Sequence, residues 1–183
     1  MAGSMIVVSS SFNMISDEIR NAYNPFESCA SAQMLIKNER SDEMILSVSR
    51  RTDIPNYYSE WFYNRIKEGF LYVRNPMNAH QISEIKITPD VVDCIVFWTK
   101  NPLPMIKRLD EIKDYNYYFQ FTLTGYGNDV EINLPNKKTK MIPVFQELSE
   151  KIGKQKVIWR YDPIFFSDRY TKEYHLKAFK SIA

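Results

Sequence analysis

From Met44 onward, apolar positions fall into short runs separated by stretches of helical spacing. Met44-Ile-Leu-Ser-Val-Ser49 reads as a strand. Tyr58, Trp61, Phe62, Arg65 and Ile66 recur at helical intervals and predict an amphipathic helix over 57–68, ended by Gly69. Phe70–Arg74 is a short strand stopped by Asn75-Pro76, and residues 80–87 read as another. Val91 to Trp98 is a nearly continuous apolar run, as expected of a strand covered on both faces. Asn101-Pro-Leu-Pro opens a helix in which Ile106, Leu109 and Ile112 share a face. Tyr117–Thr124 alternates as a strand, and residues 125–136 form a polar loop. Met141, Phe145, Leu148 and Ile152 then mark a helix with Gly153 beyond its end. Lys156–Tyr161 is a strand broken by Asp162-Pro163, and Thr171 N-caps a last helix carrying His175, Phe179 and Ile182. Trp61, Trp98 and Trp159 fall on the inferred core faces.

Upstream the pattern is weaker. Met1–Ser4 reads as an expression remnant, and residues 5–43 as an N-terminal extension. Within it, 5–11 suit a strand, Ser16 suits a helix N-cap, 28–37 suit a helix, and 37–43 are the best linker. Strands alternating with helices imply right-handed βαβ units and a mostly parallel α/β sheet over 44–183. A partial (β/α) barrel is favoured, with an open doubly wound sheet as the alternative.

Composition then removes several classes of function. With 24 Lys+Arg against 22 Asp+Glu, the chain has no general electrostatic reason to bind nucleic acid or membranes. Two cysteines, Cys29 and Cys94, and two histidines, His80 and His175, lie far apart, so this chain alone supplies no zinc finger or complete iron–sulfur ligand set. Five glycines in 183 residues, without GxGxxG or GxxxxGK[ST], argue against a standard phosphate cradle. No apolar run approaches the roughly 20 residues of a membrane span, no signal peptide is evident, and a cytoplasmic location is expected. Cys94 is expected to be an inert core thiol and His80 a structural hydrogen-bonder.

The chemistry is expected where the strands end. Arg50, Arg51, Thr52 and Asp53 follow the first strand, and Arg74 and Asn75 the next. Thr99, Lys100 and Asn101 follow the apolar strand, Thr122 and Thr124 end the aromatic one, and Arg160 and Asp162 end the last. In a parallel array such ends share the face on which active sites are built. Arg50, Arg51, Arg74, Lys100 and Arg160 would then converge on an anionic small molecule, with Asn75, Thr99 and Asn101 as further ligand-binding groups. Asp53, Lys100 and Asp162 are the catalytic candidates: the two acids as an acid/base pair or as props for neighbouring arginines, the lysine as a Schiff-base nucleophile or anion contact. No metal ligand is assigned.

Five motifs in order carry a resemblance. Ser47-Val-Ser-Arg-Arg-Thr-Asp-Ile-Pro55, Val73-Arg-Asn-Pro76, Val92-Asp-Cys-Ile-Val-Phe-Trp-Thr-Lys-Asn-Pro102, Tyr117–Thr124 and Val157-Ile-Trp-Arg-Tyr-Asp-Pro163 resemble a bacterial family of unknown function, numbered 1848 among such domains. The likeness runs from Met44 to Ala183. It implies that a complete member continues into a cysteine cluster similar to that of radical S-adenosylmethionine enzymes, so that 44–183 would be a truncated barrel portion. An iron–sulfur cluster and S-adenosylmethionine are thus implied for a longer member and not for this chain. Two other readings stand beside it: a cluster-independent hydrolase or lyase, and a non-catalytic binding module or inactive fragment.

Overall fold

The computed structural model describes residues 7–9, 44–48, 52–75, 77–78 and 80–183. The helices expected near Ser16 and over 28–37, the linker 37–43, and Arg50 and Arg51 lie outside these residues. The main sheet contains β1 (Val7–Ser9), β2 (Ile45–Val48), β5 (Cys94–Thr99), β6 (Tyr117–Thr122) and β7 (Val157–Arg160), side by side in that order. β1 is antiparallel to β2, and the other four strands run parallel.

The connections supply the helices. Between β2 and β5 come α1 (Ile54–Tyr57), α2 (Ser59–Glu68) and a separate antiparallel hairpin of β3 (Phe70–Arg74) and β4 (Ile82–Lys86). The helix expected over 57–68 is therefore α2, starting at Ser59; the short α1 precedes it, parted from it at Tyr58, whose φ of −133° leaves helical geometry. Gly69 closes α2 at φ 76°, a left-handed conformation that glycine adopts without steric cost. The helix expected after Asn101 is split, into α3 (Leu103–Ile106) and a 3-10 turn at Leu109–Ile112. Between the pieces, Arg108 lays its guanidinium 4.2 Å from the Tyr63 ring centroid and pairs with Glu60 and Glu111. A π turn (Lys137–Met141) leads into α4 (Ile142–Ile152), and α5 (Lys172–Ile182) follows β7. Thr171 caps α5 as expected, its hydroxyl accepting from Tyr174 N–H at 3.2 Å.

Register divides the sheet into two faces. Leu46, Val48, Ile95, Phe97, Phe119 and Phe121 point one way and are fully buried. Each such side chain contributes about 1.5–3 kcal/mol by leaving water. Phe62 of α2 meets Phe97, Phe145 of α4 meets Phe121, and Phe179 of α5 stacks on Trp159 at 4.6 Å. These helices therefore cover the same face. Ser47, Trp98, Gln120, Thr122 and Arg160 alternate onto the other face and are half-buried.

The expected mixed, mostly parallel α/β architecture is present, and one side-chain placement is corrected. The sheet is mixed α/β and mostly parallel, but it does not close into a barrel. Nor does strand order reverse among the described strands, the feature that marks a doubly wound sheet. Trp98 lies on the half-buried face and not in the core, whereas Trp61 and Trp159 pack against the core from its edge. An unbroken apolar run conceals which of its alternate positions face the helices.

Candidate functional site

Asp53 organises the carboxyl edge of the sheet. It N-caps α1: its Oδ1 accepts from Asn56 N–H at 3.0 Å and from the Thr99 hydroxyl at 2.7 Å. Its Oδ2 accepts from Lys100 N–H at 2.7 Å. Thr99 Oγ1 in turn accepts from Asn101 N–H at 2.9 Å, and Asn101 Nδ2 donates to Asn56 Oδ1 at 2.9 Å. Burial pushes the Asp53 carboxyl above its ordinary value, although the hydrogen bonds from Lys100, Thr99 and Asn56 pull the other way. The sequence-predicted Asp53, Thr99, Lys100 and Asn101 are thus brought together. Thr99 and Asn101 are buried and bond Asp53, Asn56 and each other, so they hold the backbone on either side of Lys100.

Lys100 Nζ bonds Glu131, on the loop after β6. Glu131 also takes the Lys137 ammonium and accepts from the Thr124 hydroxyl at 3.1 Å. Burial raises the Glu131 carboxyl, but hydrogen bonds and charge from Lys100 and Lys137 outweigh it and hold the group below the usual carboxylate range. The loop is pinned from α5's side: Tyr170 donates to Asp129 at 2.6 Å and accepts from Gly127 N–H at 3.0 Å. Against this loop opens a pocket of about 260 Å³, lined on its polar side by Asp53, Asn56, Lys100, Glu131 and Asn133. Tyr57, Val130, Ile132 and Leu134 supply its apolar side.

Among the described residues, the expected Arg74, Asn75, Arg160 and Asp162 lie apart from this pocket's lining. Arg160 pairs with Asp162 and sets its guanidinium 4.4 Å from the Trp98 ring centroid, on the half-buried sheet face. Trp98 Nε1 donates to Ser47 Oγ at 3.1 Å beside it. Asp162 Oδ1 is shielded from solvent without a hydrogen-bond partner among the described residues. Arg74 ends β3 and Asn75 follows it, so the hairpin takes them off the parallel sheet. There Asn75 shapes the turn, with Nδ2 donating to Gln81 Oε1 at 2.7 Å and Oδ1 accepting from Met77 N–H at 2.9 Å. The described edge is therefore of mixed charge, each of Lys100 and Arg160 facing an acid.

Glu131, Lys137, Asn56 and Tyr57 were missed at the level of sequence. The available signal was the length of loop 125–136, since long irregular loops in compact domains are often functional. For a metal, the described residues contain no group of three His, Cys, Asp or Glu able to hold one. Cys94 is buried within β5, and an iron–sulfur cluster finds no ligand set among the described residues. No described helix is long and apolar enough to cross a membrane.

The fold is a mixed α/β domain with a mostly parallel sheet and a small antiparallel hairpin. Residues 45–183 match the model of the domain of unknown function DUF1848, and the chain belongs to that family. Searches of the curated proteins and of the solved structures found no match.

Proposed function

We propose that this chain is a ligand-binding (β/α) domain that takes a small anionic molecule in the pocket beside Lys100. The observation that carries the reading is the placement of Lys100: its backbone is locked by Asp53, while its side chain, 38% exposed, lines the pocket. One ammonium offers three donors, and Glu131 engages it from one side only. Strand order without reversal and helices on one face support a partial barrel, whose ligands bind at the carboxyl ends of the strands. In that arrangement Trp98, Arg160 and Asp162 belong to the barrel interior.

Radical S-adenosylmethionine chemistry rests on the motif resemblance alone. Its test is a longer family member purified without oxygen: absence of both iron and S-adenosylmethionine binding would remove that reading. The cluster-independent hydrolase or lyase reading is less supported, because Asp53 spends both carboxylate oxygens on structural donors.

The pocket itself is tested by calorimetric titration of benzoate and inorganic phosphate into the wild-type chain and Lys100→Ala. Binding of either probe that Lys100→Ala weakens at least tenfold supports the site. Equal binding by both proteins would place the ligand elsewhere.

A further inference from the structure

Two lysines meet one acid at this site, and the acid sits on a loop. Lys100 reaches Glu131 Oε1 and Lys137 reaches Oε2, with the Thr124 hydroxyl also on Oε2. The Glu131 side chain is 7% exposed and that of Lys137 17%. A carboxylate buried so deeply is costly unless it is paired on both oxygens, and this one is. The lysines and the threonine thus form a three-donor receptor already shown to fit a carboxylate. Glu131 is not built into a strand or helix, and its neighbours Val130 and Ile132 are exposed, Ile132 at 76%. The pocket lies directly against Glu131.

We propose that Glu131 is an internal stand-in for the ligand. Its carboxylate occupies the place that a ligand carboxylate takes when it enters, and the incoming group exchanges with it between Lys100 and Lys137. This rests on the pocket reading above and names the substrate class: a small monocarboxylate with a short apolar body. The body is called for by Tyr57, Val130, Ile132 and Leu134 along the same pocket. The size is bounded by its volume of about 260 Å³, below the roughly 300–1,000 Å³ of drug-sized sites. A monoanion also preserves the balance of charge, since one carboxylate replaces another.

Glu131→Gln removes the competitor's charge and keeps its shape. Benzoate should bind this variant at least tenfold more tightly than wild type, and adding Lys100→Ala should remove the gain. Inorganic phosphate, which has no apolar body, should bind the variant more weakly than benzoate. Folding of each variant is checked by circular dichroism melting. If Glu131→Gln binds benzoate no better than wild type, the exchange is wrong while the pocket stands. If neither protein binds either probe, the pocket reading itself fails. If phosphate binds the variant more tightly than benzoate, the carboxylate class is wrong. A second measurement needs no variant: in wild-type protein, saturating benzoate should raise the titration midpoint of the Glu131 side-chain carboxyl, followed by its ¹³C shift. An unmoved midpoint would overturn the exchange.

Discussion

Asp53 and Glu131 are both largely buried carboxylates, yet their surroundings move them in opposite directions. Asp53 is held by neutral donors, so burial dominates and its carboxyl is raised. Glu131 is also buried, but two ammonium groups prevail and lower it. The consequences for stability have opposite signs. The Glu131 contribution is complete above the ordinary value of 4.5 and fades as pH falls through the lower folded value. The Asp53 contribution is complete below 3.8 and fades as pH rises through the higher folded value. Urea unfolding of Glu131→Gln should therefore show a shallower loss of stability between about pH 6 and about pH 3 than wild type. An equal loss would mean that the lysine pair does not stabilise the fold through Glu131. Asp53→Ala leaves the Thr99 hydroxyl and the Asn56 and Lys100 N–H groups without their acceptor. It should cost about 2–4 kcal/mol, combining a lost cap with unmet buried donors. A loss below about 1 kcal/mol in the same assay would show that water replaces the carboxylate freely.

At the scale of elements, the parallel strands were legible because each has a short apolar pattern bounded by Pro, Gly or charge, as in Val157–Arg160 before Asp162-Pro163. Which strand pairs with which was not. β3 carries the same local signal as β2, and only pairing with β4 takes Arg74 and Asn75 away from the sheet edge. Thr99 and Asn101 were expected as ligand-binding groups, but sequence cannot distinguish a polar group that meets a ligand from one that holds its neighbour. Loop 125–136 has no periodicity, so Glu131 gave no signal of its own. The packing of α5 on the start of that loop is close: a Cβ on Gly125 would fall 2.5 Å from Ala178 Cβ and 2.7 Å from Tyr161 Oη. Gly125→Ala should destabilise the domain by about 1–3 kcal/mol through this overpacking. Thermal melts should show part of the loss recovered by adding Ala178→Gly. Without recovery, the close approach of α5 is not the cause.

Across the whole molecule, helices α2, α4 and α5 share one face of the sheet, and polar groups gather on the other face and at the carboxyl edge. Two charged centres result: Lys100–Glu131–Lys137 against the pocket, and Arg160–Asp162 over Trp98. The proposed binding role belongs to the first. It is tested most directly by a ¹H–¹⁵N NMR titration of the wild-type chain with benzoate. The account predicts saturable shifts centred on Asn56, Tyr57, Lys100 and residues 130–134, with Arg74, Asn75 and the hairpin unmoved. Shifts centred on the hairpin or on Trp98 and Arg160, or no saturable shift at all, would contradict it.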